Sequence, residues 1–296
     1  MTANPLHIAL YCQGTFSDPN PTNQQIDQMV AAAADINASG FGTVILGQWH
    51  VHSDGAVYYN DSPLDSVIQQ LKVIPTALTL GGSVQRVLID FGPQYQDYDD
   101  IAANLDTFKK TMEGVLAQTA INGFDWDLES PPKGYEHYTD LLIDLTNWAN
   151  SLTLVVPKLV TAPPYQDESF WNSVINTTNA GGAPGMGWWN LQTYGGADYA
   201  SWVAAFTNKL PQLDAQSYIV PGYNIGGGVS PSQVQQQIAY LYSTYKQLDG
   251  GFIWRYEDIA GSGYKTSEYA NAIINAVGGL AQTGDARPAA QPQATA

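Results

Sequence analysis

Ile121-Asn122-Gly123-Phe124-Asp125-Trp126-Asp127-Leu128-Glu129 sets three carboxylates within five residues of an otherwise apolar run. In an extended strand alternate side chains face opposite ways, so Asp125, Asp127 and Glu129 share one face and Phe124, Trp126 and Leu128 the other. Neighbours on such a face stand about 6.6 Å apart. At that spacing the three cannot ionise independently, and repulsion together with burial should raise at least one pKa. A carboxyl held protonated near neutral pH is what general acid catalysis requires. The alternative is a solvated edge strand on which Asp merely discourages pairing. It conflicts with the Phe, Trp and Leu of the opposite face and with the poor strand propensity of Asp.

Strand-like runs precede this stretch at His7 to Cys12, Thr43 to Trp49 and Gln85 to Phe91. Others follow at Leu159 to Ala162, Trp188 to Tyr194, Ser217 to Tyr223 and Gly251 to Tyr256. Helical patterns separate them: Asn23 to Ala38, Leu64 to Leu78 with a break near Pro75, Tyr98 to Gln118, and Tyr135 to Ser151. Phe170 to Ile175, Ala200 to Leu210, Ser230 to Gln247 and Ser267 to Val277 complete the set. His50 to Tyr59 reads as a hairpin turning at Asp54-Gly55. Strand then helix, eight times over, predicts an α/β chain folded as a single (β/α)8 TIM barrel over residues 1–278. A doubly wound open sheet competes, but the count of eight and the lack of a Gly-rich phosphate fingerprint after the first strand favour the barrel. Residues 279–296, made of Ala, Gln, Pro, Gly and Thr with little apolar content, read as a disordered tail or linker.

The formal charge of −16, from 11 Lys+Arg against 27 Asp+Glu, argues against nucleic-acid and anionic-membrane partners and for a neutral substrate. No apolar stretch approaches the ~20 residues of a membrane span, and Met1 to Leu6 does not read as a signal peptide. The 8 Trp and 18 Tyr exceed ordinary core needs and hint at sugar binding. Cys12, the single cysteine, has no intrachain partner and reads as a buried structural thiol. His50 and His52 face the same way two residues apart, as two metal ligands would, but no Cys completes a set and Asp54 belongs to the turn. No metal is expected there.

Catalytic groups of a TIM barrel sit at the C-terminal ends of its strands, and Glu129 ends the fourth, just before Ser130-Pro131-Pro132. Residues 122–129 resemble the Asp-x-x-Asp-x-Asp-x-Glu signature of glycoside hydrolase family 18, the chitinases and endo-β-N-acetylglucosaminidases. Gln192-Thr193-Tyr194 is similar to the family's sixth-strand Gln-x-Tyr, and Trp254 to its eighth-strand Trp. The resemblance implies that Glu129 protonates the glycosidic oxygen and then activates water, while the substrate's own 2-acetamido oxygen attacks the anomeric carbon. Asp127 would accept the acetamido N–H and stabilise the oxazolinium charge, and Asp125 would tune Asp127 from behind. Tyr194 would donate to the acetamido oxygen, Trp254 would floor the pocket, and Gln192 would join the substrate-binding set.

Tyr11 and Tyr223 lie on strands flanking such a pocket and are candidates to stack on a sugar, with core packing as the default reading of each. Trp49 to His52 would wall the pocket as a loop. The implied partner is an N-acetylglucosamine-containing oligosaccharide or polysaccharide, bound by a monomer without any cofactor. Such a polymer favours a secreted or extracellular setting.

Two positions depart from the family pattern. Asn122 replaces the leading Asp, on the face opposite the acidic one. On the third strand Asp90-Phe91-Gly92-Pro93 stands where the family has Ser-x-Gly-Gly, so Asp90 would replace a serine that hydrogen-bonds Asp125 and bring a fourth carboxylate into the barrel. Asp90 and Asp125 are then expected to share a proton. Three functional readings stand: a retaining hydrolase of chitin or of the chitobiose core of N-glycans, a catalytically silent sugar-binding barrel, and a barrel enzyme that uses two carboxylates on a sugar lacking the acetamido group.

Overall fold

The computed structural model describes residues 6–129, 131–132, 134, 136–154, 158–179 and 185–278; the expected tail at 279–296 lies outside them. Ten strands form one sheet: β1 (His7–Gln13), β2 (Thr43–Val51), β3 (Val57–Tyr59), β4 (Ser62–Pro63), β5 (Arg86–Phe91), β6 (Gly123–Trp126), β7 (Leu159–Ala162), β8 (Trp188–Leu191), β9 (Ile219–Asn224) and β10 (Gly250–Trp254). Eight of them are parallel. Because β1 pairs with both β2 and β10, the sheet closes into a barrel and the open doubly wound alternative is excluded. The other two, β3 and β4, continue antiparallel from the far end of β2, with Val51 opposite Val57 as expected of the hairpin.

Strand parity sorts the side chains into two cores. Ala9, Tyr11, Ile45, Leu88, Leu159, Trp188, Val220 and Phe252 fill the barrel interior, while the alternate residues face the surrounding helices. The aromatic content is concentrated in that outer layer rather than on a sugar-facing surface. Trp189 meets Trp171, Trp202 and Phe206 edge to face, and Phe124 stacks on Trp126 with ring centroids 5.1 Å apart. Cys12 is fully buried in the same layer, as expected of a structural thiol.

Several boundaries differ from the sequence reading. The helix Leu64–Thr79 runs through Pro75, because proline deletes a single backbone bond there and its ring is buried beside Leu71, Ile74 and Leu78. The long helix expected over Tyr98 to Gln118 is two, Tyr95–Ala103 and Leu105–Gln118, divided at Asn104. The Asn104 amide bonds the Ser53 and Asp100 carbonyls at 3.3 and 3.0 Å, so the break lies where the hairpin tip docks. A short helix, Ala215–Tyr218, takes the first residues of the expected seventh strand. No helix among the described residues is long and apolar enough to cross a membrane.

Gly92 sits where β5 turns away above the acidic strand. Its φ is +124°, and a Cβ there would fall 1.9 Å from the Asp127 carbonyl oxygen. Gly92→Ala should therefore destabilise the fold by about 2–4 kcal/mol through strain and overpacking. Gly114 lies inside a helix with nothing within 4 Å of a built Cβ, so Gly114→Ala should stabilise by about 0.5–1 kcal/mol. Urea unfolding of both variants checks the opposite signs.

Candidate active site

On β6 the alternation read from the sequence holds. Asp125 is wholly buried inside the barrel, whereas Phe124, Trp126 and Leu128 belong to the outer core. The ladder carries past the strand's end through the Asp127 N–H, which donates to the Phe91 carbonyl at 2.8 Å and delivers Asp127 to the barrel mouth. Asn122 sits at the opposite end of β6, where its side chain pairs with the Val87 N–H at 2.9 Å and the Gln85 carbonyl at 3.3 Å. The first departure from the family pattern is thus remote from the acidic face.

Asp125 is held on both oxygens. The Tyr11 hydroxyl donates to Oδ2 at 2.7 Å, the Thr161 hydroxyl donates to Oδ1, and Asn190 Nδ2 in turn donates to the Tyr11 oxygen at 3.1 Å. Asp90 stands directly across from Asp125 in the β5–β6 register, and both of its buried oxygens lack a hydrogen-bond partner among the described residues. The two aspartates, expected to share a proton, are coupled by charge and make no direct hydrogen bond among the described residues. Asp125 spends its oxygens on Tyr11 and Thr161, and Asp90 interacts with it through space. Gly47 leaves room for Asp90, since a Cβ at Gly47 would lie 2.5 Å from Asp90 Oδ2.

Burial drives the electrostatics. It pushes Asp90 and Asp127 well above the ordinary carboxylate range, and the charges of neighbouring carboxylates add to the shift. Burial also pushes Asp125 up, to about 7, against the hydrogen bonds from Thr161, Tyr11 and Asn190, which pull it down. The expectation that at least one carboxyl of the acidic strand resists ionisation is met by Asp125 and Asp127, and Asp90 of β5 joins them.

Above the cluster, Tyr11, Gln48, Asp127, Glu129, Pro163, Gln192, Tyr194 and Trp254 line a cavity of about 140 Å³. Gln192 donates both hydrogens of Nε2, one to Glu129 Oε1 and one to the Pro163 carbonyl, each at 2.9 Å, and so braces the carboxyl. Tyr194 arrives differently from the sequence reading: β8 ends at Leu191, and Thr193–Gly195 forms a 3-10 turn that places the ring edge-on to Phe252. The Tyr11 ring is 5.3 Å from both Phe252 and Trp254, which packs it into the barrel floor.

Tyr223 is not brought to the cavity. On β9 Gly222 takes the inward position, hard against the Phe252 ring, so parity turns Tyr223 into the helix layer. Trp49 is likewise no wall. The β2–β5 register shifts between Leu46 and Trp49, an irregularity that sends Trp49 outward onto Tyr59 and leaves Gln48 at the cavity. Gln48 was not read from the sequence, because strict alternation from Ile45 and Gly47 places it outside. Thr161 and Asn190 were also missed, although parity on their strands could have found them. His50 and His52 are occupied separately, His50 Nδ1 with Asp97 Oδ2 at 3.3 Å and His52 stacked on Tyr58, and the described residues hold no metal-ligand cluster.

No family model and no curated protein matches the chain by sequence. Its fold is similar to the catalytic domain of a family GH18 chitinase from the fern Peteris ryukyuensis, with a TM-score of 0.57 and 16% identity over 91% of this chain and 98% of that one. It is also similar to the Group IV chitinase of Ostrinia furnacalis, with a TM-score of 0.62 and 12% identity over 93% of this chain and 100% of that one. The complex of that insect enzyme with allosamidin gives 0.60 and 12%, over 91% and 98%. The likeness is one of fold: this barrel is built as those family GH18 chitinases are.

The raised aspartates fix a sign for stability against pH. Between the ordinary carboxylate pKa of about 4 and the raised folded values, the native chain keeps protons that the unfolded chain has lost. Their contribution is complete below about pH 4 and fades as pH rises through the raised folded values, about 7 for Asp125, with Asp90 and Asp127 held well above the ordinary carboxylate range by burial. Asp90→Asn, which cannot ionise, should raise the melting temperature over the parent by a margin that widens from about pH 5 to about pH 8. Thermal melts across that range check it, and a margin independent of pH would contradict the assignment.

Proposed function

We propose that the chain is a family 18 glycoside hydrolase that cleaves β-1,4-linked N-acetylglucosamine with retention, using the substrate's 2-acetamido group as the nucleophile. The observation that carries this reading is the convergence of Glu129, Asp127, Tyr194 and Trp254 on one cavity at the mouth of a barrel with the family's fold. The binding of allosamidin by the insect chitinase is consistent with it.

In this mechanism Glu129 gives its proton to the glycosidic oxygen as the bond to the anomeric carbon breaks. The acetamido oxygen closes on that carbon, and the leaving sugar departs with the proton. Glu129, now a carboxylate braced by Gln192, then takes a proton from water as the water opens the oxazolinium ring and regenerates the acetamido group. Asp127 accepts the acetamido N–H, and Tyr194 donates to the acetamido oxygen. Burial makes these aspartates resist ionisation, and a positive charge developing beside them favours their charged form. The site is accordingly more complementary to the cationic transition state than to the neutral sugar.

Mass spectrometry of products from chitin oligosaccharides and from a high-mannose N-glycan tests the reading and separates the two substrates. The parent is expected to cleave one of them, Glu129→Gln to lose about 10³-fold in rate, and Tyr194→Phe about 10²-fold. Allosamidin is expected to inhibit. Substrates left intact by the parent but still bound would assign a sugar-binding barrel, and cleavage of sugars lacking the acetamido group would sink the substrate-assisted mechanism.

A further inference from the structure

Two amides line the cavity, and the hydrogen-bond chain behind each determines what it offers. Gln192 has committed both Nε2 hydrogens to Glu129 and Pro163. Gln48 is different. Its Oε1 accepts from Gln13 Nε2 at 3.3 Å, and the Gln13 Oε1 accepts from the Arg255 guanidinium. Arg255 is anchored in turn by Asp258, with Nε 3.5 Å from its carboxylate. A guanidinium only donates, so the Gln13 amide can lie only one way round, with oxygen to Arg255 and nitrogen to Gln48. That in turn fixes the Gln48 amide, and its Nε2 is the end left uncommitted among the described residues.

The backbone of Gln48 is equally constrained. Asn60, with φ of +45°, donates from Nδ2 to the Gly47 carbonyl at 2.8 Å and accepts the Gln48 N–H on Oδ1 at 3.0 Å. Its own N–H donates to the Gln48 carbonyl at 2.9 Å. A donor held from behind by a one-way chain, at the wall of a cavity that also holds Asp127 and Glu129, loses little freedom when a ligand accepts from it.

We propose that Gln48 is a specificity-determining residue that donates from Nε2 to an oxygen of the bound sugar, and that Gln13 and Arg255 are positioning residues that set its polarity. This rests on the N-acetylglucosaminide reading above. Gln13→Glu provides a discriminating variant. It keeps the bond to Arg255 and the size of the side chain but has no donor, so Gln48 must turn its nitrogen toward Glu and present its oxygen to the cavity.

Calorimetric titration with chitin hexasaccharide, all in the Glu129→Gln background so that no turnover occurs, tests the proposal. Gln48→Leu is expected to bind about tenfold more weakly, the loss of one hydrogen bond. Gln13→Glu should weaken binding by a similar factor without lowering the melting temperature. The Gln13→Glu/Gln48→Leu pair should bind no more weakly than Gln48→Leu alone, as two residues acting through one bond require. Unchanged binding in Gln48→Leu or in Gln13→Glu, or additive losses in the pair, would overturn the proposal while leaving the sugar-binding reading intact. No binding by the Glu129→Gln protein itself would overturn both.

Discussion

Ionising a carboxyl inside a sealed barrel is the constraint on which the rest of this structure turns. The stretch Phe124 to Leu128 alternates aromatic or aliphatic side chains with acids, and a closed parallel sheet offers only two places for them. The aromatic face is claimed by the helix layer, where Phe124 and Trp126 stack on each other, Trp126 meets Phe91 and Phe124 meets Trp148. The acids are left the interior. Turning the strand over would crowd two large aromatic rings into the barrel interior and place aspartates among helices with nothing to bond them, so the same packing that stabilises the barrel holds the acids in it.

The neighbouring strands meet that constraint unevenly. Asp125 receives Tyr11 from β1 and Thr161 from β7, with Asn190 of β8 behind Tyr11, a network that favours its charged form. Asp90 receives nothing among the described residues, only the space that Gly47 leaves. A buried carboxyl without a donor is tolerable when neutral and costly when charged. The cluster is therefore asymmetric: one aspartate is equipped to ionise, and another, one strand away, is equipped to stay protonated. Proton sharing within it is electrostatic, without a direct bond from Asp90 to Asp125. Charge on one member raises the cost of charging the others.

Much of this was legible in the sequence because it obeys a period. The eight strands, the barrel and the sidedness of Asp125 all follow from alternation between two faces, while Asp90 was found through the resemblance of Asp90-Phe91-Gly92-Pro93 to a family's third-strand pattern. What escaped was aperiodic. The register shift in β2 exchanges the places of Gln48 and Trp49, and nothing in Gly47-Gln48-Trp49 announces it. Tyr223 was misplaced for the converse reason: its parity was available, but Gly222 has no side chain to advertise that it holds the inward position. Helix breaks failed in the same way, since the division at Asn104 is dictated by a hairpin tip more than forty residues earlier in the chain. The aromatic surplus was legible as composition but not as location, and it proved to build the outer core.

A carbon-13 titration of the aspartate carboxyl carbons would test the account at its base, because the proposed chemistry draws on acids that the barrel keeps from ionising. The expected resonances are a midpoint at about 7 for Asp125 and midpoints well above the ordinary carboxylate range for Asp90 and Asp127, all returned to that range by unfolding. Midpoints all falling near about 4 would mean that water or an unseen partner solvates the interior acids, and the electrostatic basis proposed for the site would be wrong.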